Sequence, residues 1–390
     1  MKVDFLPLGQ LISLVIDYRG KTPHKLGGEW SSSGYRALSA LNVKTRRLIA
    51  EDKVRFVDED LYKKWMKEEV QKGDILITSE APFGQVLQWN SNEKIVLSQR
   101  LYALRVKPEY CSSYIYQYMA SDFFYGELKA RATGSTVEGL RQPALLKCKI
   151  AMPPLSVQRR IASILSAYDN LIENNTRRIR LLEQMAENIY KEWFVRFRFP
   201  GHENAEFENG LPKGWKIERY GIVTNISAGG DRPICFSEVK TNEYKIPIYS
   251  NGIDNFGLYG YTNEAKIKEE CITISARGTV GYVCLRKEPF VPIVRLLSVI
   301  PQKGLDLYYL FHSSKSNDLE GNGTSQQQLT APMLSKRKIL IPSKQVMDGF
   351  GKIVRQFYDE INVLQQQSNL LARQRDLLLL RLMSGKLEVH

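Results

Sequence analysis

Two loops of this 390-residue chain carry different polar side chains at corresponding places. Ser79, Glu80 and Gln85 fall in a turn-rich stretch after the strand-like Ile75-Leu76-Ile77-Thr78. Arg277, Thr279 and Tyr282 fall in the stretch after Cys271-Ile272-Thr273-Ile274-Ser275. Side chains of these kinds can read base-pair edges: a carboxylate accepts from cytosine N4, a carboxamide fits adenine and a guanidinium fits guanine. Arg100 and Arg295, each followed by Leu, fit a phosphate contact, a base contact or an ion pair inside the fold. Ser135 and Thr136 lie in one small polar loop, Thr133 to Thr136, and Thr324 and Gln326 in another, Gly323 to Gln328. Such loops suit close approach of backbone to a ligand. Plain surface turns would explain the same residues, so both readings stay open.

The composition points to a polyanionic partner. The formal net charge is +13, while 43% hydrophobic and 25% charged residues are ordinary for a globular protein. Catalytic signatures are missing. An adenine methyltransferase needs Asp, Asn or Ser, then Pro-Pro, then an aromatic; Met152-Pro153-Pro154-Leu155 is apolar at both informative ends. Ser384-Gly385-Lys386-Leu387 ends in Leu after a helix and is no phosphate loop. No Gly-x-Gly-x-x-Gly follows a strand. His24, His202, His312 and His390 lack metal-ligand spacing, and Cys111, Cys148, Cys235, Cys271 and Cys284 include no Cys-x-x-Cys pair. No resident metal or cofactor is expected, and the cysteines fit a reducing compartment. Met1-Lys2-Val3-Asp4-Phe5 does not start a signal peptide, and no apolar run reaches membrane-spanning length. A cytoplasmic protein is expected.

The elements that must position the loops are repeated. An offset of 189 residues places Gly134, Leu140, Pro143, Lys147, Lys149, Ile150 and Pro153 on Gly323, Leu329, Pro332, Lys336, Lys338, Ile339 and Pro342. The same offset aligns two heptad seams. Tyr168, Ile172, Asn175, Ile179, Leu182, Ala186, Ile189 and Trp193 fall on Phe357, Ile361, Leu364, Ser368, Leu371, Arg375, Leu378 and Leu382. Steps of 4 and 3 are coiled-coil spacing. The offset drifts to 197 at the candidate loops, 195 at Arg100-Leu101 and Arg295-Leu296, and 210 at Gly20-x-x-Pro23 and Gly230-x-x-Pro233. Loops therefore varied in length while the helices kept register.

The expected fold is α+β: two repeated, strand-rich α/β recognition domains and two long helices paired as an antiparallel coiled coil. The expected boundaries are domain one over 1–154, a spacer helix in 155–199, a linker and domain two over 200–343, and a second helix with tail over 344–390. Ser156 is the expected cap of a helix from Val157 to Phe197, and the last helix is expected from Val346 to Leu382. Further helical text is expected over 57–71 and 112–130, and the polar stretch His202 to Gly214 as a linker. Each long helix, roughly 35 residues, would span about 50 Å at 1.5 Å per residue.

These pieces resemble the specificity (S) subunit of Type I restriction-modification systems along essentially the whole chain. The resemblance rests on Ile150-Ala151-Met152-Pro153-Pro154-Leu155-Ser156-Val157-Gln158-Arg159-Arg160-Ile161, on Trp193-Phe194-Val195-Arg196-Phe197 with Phe199-Pro200-Gly201, on Leu211-Pro212-Lys213-Gly214-Trp215, and on Arg375 to Lys386. Departures are Arg196, where the pattern has an acid, and Ser343-Lys344 in place of a second Pro-Leu. The resemblance implies a non-catalytic subunit whose two recognition domains each read half of a bipartite double-stranded DNA target, with the helices setting the gap. It implies docking of two modification (methyltransferase) subunits, which carry S-adenosylmethionine, and of ATP-driven restriction subunits. A reading module of another methylation-based defence system, or a methyltransferase with an unrecognised site, are the alternatives at this point.

Overall fold

The structure, a computed structural model, describes residues 4–134, 138–316 and 328–383. It divides into two compact units. Unit 1 comprises Met1–Thr176 with Gln366–His390, and unit 2 comprises Arg177–Gln365.

The main sheet of unit 1 contains β1 (Ile12–Asp17), β2 (Ile75–Thr78), β3 (Val86–Gln88) and β4 (Leu101–Val106), antiparallel in the order β1-β4-β2-β3. In unit 2, β5 (Thr224–Ala228), β6 (Cys271–Ile274), β7 (Val283–Arg286) and β8 (Leu297–Pro301) pair antiparallel in the order β5-β8-β6-β7. The smaller sheets repeat too. Tyr35–Leu38 lies parallel to Ile95–Leu97 and antiparallel to Arg55–Val57, as Ile246–Tyr249 lies parallel to Val291–Pro292 and antiparallel to Leu258–Thr262. Asp4–Pro7 pairs with Lys149–Met152, and Lys216–Arg219 with Lys338–Ile341. The two units are copies of one α+β fold.

The unbroken apolar run of β2 follows from its place. Successive strand residues face opposite sides, so Ile75 and Ile77 enter one core while Leu76 enters another. On β4, Tyr102 and Leu104 join the first core, and Leu101 and Ala103 the second. With apolar layers on both faces, no polar alternation survives to mark the strand. The expected helical text at 112–130 is two helices, α1 (Ser112–Met119) and α2 (Asp122–Lys129). Ser121 breaks the run, its hydroxyl capping the second helix through the Phe124 N–H. The text at 57–71 shrinks to Glu59–Trp65, capped by Asp58, whose carboxylate accepts from the Leu61 N–H at 2.8 Å.

The long helices are α3 (Leu155–Tyr190) and, after the helix α4 (Leu307–Ser316) of unit 2, α5 (Lys344–Met383). Both begin two residues before expectation. Ser156 is thus inside α3 and is not its cap. The α-helical part of α3 ends at Tyr190, followed by a π-helical turn over Lys191–Val195 rather than a regular helix to Phe197. The expected linker contains a short pairing of Phe207–Glu208 with Leu211–Pro212, and the Phe199 and Trp215 rings that flank this segment lie 5.1 Å apart.

Each unit packs one end of α3 against one end of α5. In unit 1, Ile161, Ala162 and Leu165 share a core with Leu379 and Leu382. In unit 2, Ala186 and Tyr190 share a core with Met347, Phe350 and Val354, and Arg178 reaches Glu360 at 2.7 Å. Within unit 2, residue numbers rising along α3 meet numbers falling along α5, which is antiparallel pairing. The heptad residues Tyr168, Ile172, Asn175, Ile179, Leu182, Ala186, Ile189, Trp193, Phe357, Ile361, Leu364, Ser368, Leu371, Arg375, Leu378 and Leu382 are all buried or half-buried. Leu171, Leu181, Met185, Leu370 and Leu377 are on exposed faces.

Candidate nucleic-acid interface

The loop between β2 and β3 closes on itself. The Thr78 hydroxyl donates to the Pro82 carbonyl at 2.6 Å and accepts from the Gln85 N–H at 2.8 Å, and Gly84 N–H reaches the Thr78 carbonyl at 3.2 Å. Its flanks are tied to other segments: Ser79 N–H to the Arg100 carbonyl at 2.8 Å, and Leu140 N–H to the Ser79 carbonyl at 2.9 Å. The β6–β7 loop has the same frame. Ser275 N–H bonds the Tyr282 carbonyl at 2.9 Å, Gly281 N–H the Ser275 carbonyl at 3.0 Å, and Leu329 N–H the Ala276 carbonyl at 3.0 Å. Gly84 and Gly281 both have left-handed φ, +66° and +83°, which an added Cβ would strain. Arg100 and Arg295 are also equivalent, at φ 63° and 65° in tight turns before β4 and β8.

On these shared frames the side chains diverge. Ser79 is 2% exposed, so its place in the loop interior removes it as a base reader. Gln85 is also withdrawn: its Oε1 accepts from the Thr45 N–H and hydroxyl at 3.0 and 3.1 Å, and its Nε2 donates to the Phe83 carbonyl. Glu80 stays accessible and accepts an ion pair from Arg100 Nε at 3.0 Å. Arg100 thus makes an ion pair while about half of its side chain stays exposed. Sequence reasoning missed its neighbours. Arg19 forks onto Asp17 at 2.9 and 3.0 Å and lies 4.0 Å over the Tyr102 ring. No spacing signals this group, because a strand end, a strand face and two loops supply it.

In unit 2 the balance is cationic. Arg277 and Thr279 are exposed at the loop tip, Arg277 within 3.4 Å of Gln328 Oε1. Arg295 is exposed beside Val294, itself 51% exposed with φ 52°. Among the described residues neither arginine meets a carboxylate. Tyr282 is half-buried, and burial first, then Cys284, pushes its hydroxyl up to about 12, so it remains a neutral donor. Asn251, also missed, joins the loops: its Oδ1 accepts from the Ala276 N–H at 2.7 Å and its Nδ2 donates to the Val294 carbonyl. Gly229 lies below this turn, where a Cβ would fall 2.7 Å from Pro292 backbone. Ser135, Thr136, Thr324 and Gln326 lie outside the described residues.

A second polar group sits away from the loops. Arg46 Nη1 donates to Gln117 Oε1 at 2.6 Å and to Asp169 Oδ2 at 3.0 Å, and Gln117 Nε2 donates to Asp169 at 2.6 Å. Arg375 Nη1 completes it with Asp169 Oδ1 at 2.7 Å. Four segments of unit 1 meet there.

Comparison with known proteins agrees with this duplicated arrangement. The family described as Type I restriction modification DNA specificity domain matches residues 16–184 and again 212–373. The chain belongs to that family. Each match runs from the first strand region of a unit into a long helix, so the repeat is a repeat of the family's domain. The chain is a DNA-sequence specificity subunit of the Type I restriction-modification kind. It is 26% identical over 343 residues to the Type I restriction enzyme MjaIX specificity subunit of Methanocaldococcus jannaschii, covering 82% of this chain and 78% of that protein. The HindI specificity subunit of Haemophilus influenzae is 21% identical over 405 residues, with 82% and 88% covered. Among solved structures, the S subunit of the Type-I system from M. genitalium superposes with a TM-score of 0.57 at 16% identity, covering 98% of this chain and 96% of that one, a likeness of fold. No helix among the described residues is long and apolar enough to cross a membrane.

Proposed function

We propose that each unit reads one half of a bipartite double-stranded DNA target, through the β2–β3 loop and Arg100 turn in unit 1 and the β6–β7 loop and Arg295 turn in unit 2. The observation that carries this reading is one loop frame dressed twice. Glu80, paired with Arg100, stands where unit 2 has Arg277, and Arg295 has no carboxylate beside it among the described residues. A fixed backbone with opposite charge at its tip suits two different base sequences: Arg277 can donate twice to guanine, while Glu80 can accept from cytosine. Lysines and arginines of the +13 chain supply phosphate contacts, which hold register without specifying sequence.

The chain itself is non-catalytic in this reading and holds no cofactor. Methyl transfer from S-adenosylmethionine belongs to two modification subunits docked on it, and ATP-driven cleavage to restriction subunits, all in the cytoplasm. Methylome sequencing of a strain expressing this chain with its modification subunit tests the reading. A two-part methylated motif with an unspecified gap is expected. A single continuous motif, or methyl transfer by the purified chain alone, contradicts it.

A further inference from the structure

The two units contain equivalent three-way junctions with opposite chemistry. The offset of 189 places Asp169 on Tyr358 and Ala186 on Arg375, and the 195 offset places Gln117 of α1 on His312 of α4. In unit 1, Gln117 donates to Asp169, and Arg375 of α5 joins them with its side chain only 9% exposed. In unit 2 the matching pair is Tyr358 Oη and His312 Nε2, 3.3 Å apart. The third place is taken by Ala186 of α3, fully buried in the same core, where Tyr190 stacks on the His312 ring at 6.0 Å. One junction is an ion-paired cluster and the other is built of rings, with Glu187 and Lys315 near His312.

We propose that the Asp169–Arg375 pair selects helix partners: it favours α3 on α5 of one chain over pairing of like helices between two copies. A duplicated protein faces this ambiguity because its helices share one heptad register. If α5 paired with α5 of a second copy, Arg375 would enter the Ala186 place, beside Tyr358 and His312, losing Asp169 and keeping only the exposed Asp376 of its own helix. If α3 paired with α3, Asp169 would face Ala186 and retain only Arg46 as a cation. Both like pairings lose the Asp169–Arg375 bond from a packed junction, whereas α3 on α5 keeps it. A polar seam residue commonly specifies partner and register in this way, at a cost in stability.

The test uses two differently tagged copies of the full chain, co-expressed and examined by native mass spectrometry. The double variant Asp169→Asn with Arg375→Met removes the discriminating ion pair and leaves Arg46 bonded to the Gln117 carbonyl oxygen. The fraction of mixed-tag dimer should rise roughly tenfold over the unsubstituted chain, within the coupling range of residues in direct contact. The charge-retaining variant Asp169→Glu with Arg375→Lys should stay monomeric. If the neutral variant does not melt cooperatively, Arg375→Met alone carries the same comparison, since it makes α5 resemble α3 at this place. A neutral variant that folds and stays as monomeric as the unsubstituted chain overturns the proposal. Equal dimer in the neutral and charge-retaining variants also overturns it, because loosened packing would then be the cause.

Discussion

The junction around Asp169 and the junction around His312 occupy the same place in two copies of one fold, yet they are held together differently. In unit 1 a carboxylate collects two guanidinium groups and a carboxamide from four segments. In unit 2 the corresponding space is filled by rings: Tyr190 against Phe350, Phe194 and His312, and Tyr358 against Tyr308. Fold alone does not prescribe the means of cohesion. The same contrast recurs at the loops, where Glu80 and Arg277 stand on equivalent frames. Duplication has kept backbone geometry and left side-chain chemistry free to diverge, which is what two readers of different sequences require.

The largest effect should come from the charged junction. Asp169→Ala leaves Arg46 without its carboxylate and Arg375 with the exposed Asp376 alone, and removing one member of a buried ion group costs about 3 kcal/mol or more. Denaturant unfolding followed by probes in each unit should show the loss in unit 1. A loss confined to unit 2 would break the contrast.

The aromatic junction should respond to acid. Burial first, with repulsion from Lys315 second, pushes the His312 imidazole down to about 3, so the native form is neutral. An unfolded chain binds the proton near pH 6.5, hence stability from this group is complete above that pH and declines as pH falls toward 3. Between pH 7 and 5 the decline should be about 2 kcal/mol. His312→Gln, which installs the residue type of unit 1, should flatten that slope in pH-dependent melting. An unchanged slope would mean that His312 is not the group that titrates.

The smallest effect on stability should come from the loop tips. Glu80→Gln and Arg277→Gln alter exposed or partly exposed side chains, so each should shift stability by no more than about 0.5 kcal/mol. A thermal shift well beyond that would make these residues structural and remove them as readers.

The repeat was legible because heptad spacing and the Gly-Pro punctuation at 134–153 and 323–342 survive in the residues themselves. From it the twofold α+β plan followed, and both units share sheet order and register. The readers were less legible. Ser79 and Gln85 are polar in sequence, but Ser79 is buried and the Gln85 carboxamide is bonded to Thr45 and Phe83, and polarity does not reveal which way a side chain turns. Arg375 was visible as a charge in an apolar seam, whereas its partner Asp169 lies 206 residues away, one step off the heptad. Helix starts shifted by two residues because the Pro154 and Ser343 carbonyls already accept the first helical bonds, from the Gln158 and Met347 N–H groups, so each helix begins directly after its proline-bearing stop.

The most direct measurement is the methylated motif produced with the modification subunit when Arg277 and Arg295 are both replaced by alanine in the full chain. Each lost base contact should relax discrimination by about 1–3 kcal/mol at its position, so the motif should degenerate in one half while the other half and the gap stay as before. An unchanged motif, or degeneration in both halves together, would contradict a chain in which each unit reads its own half-site.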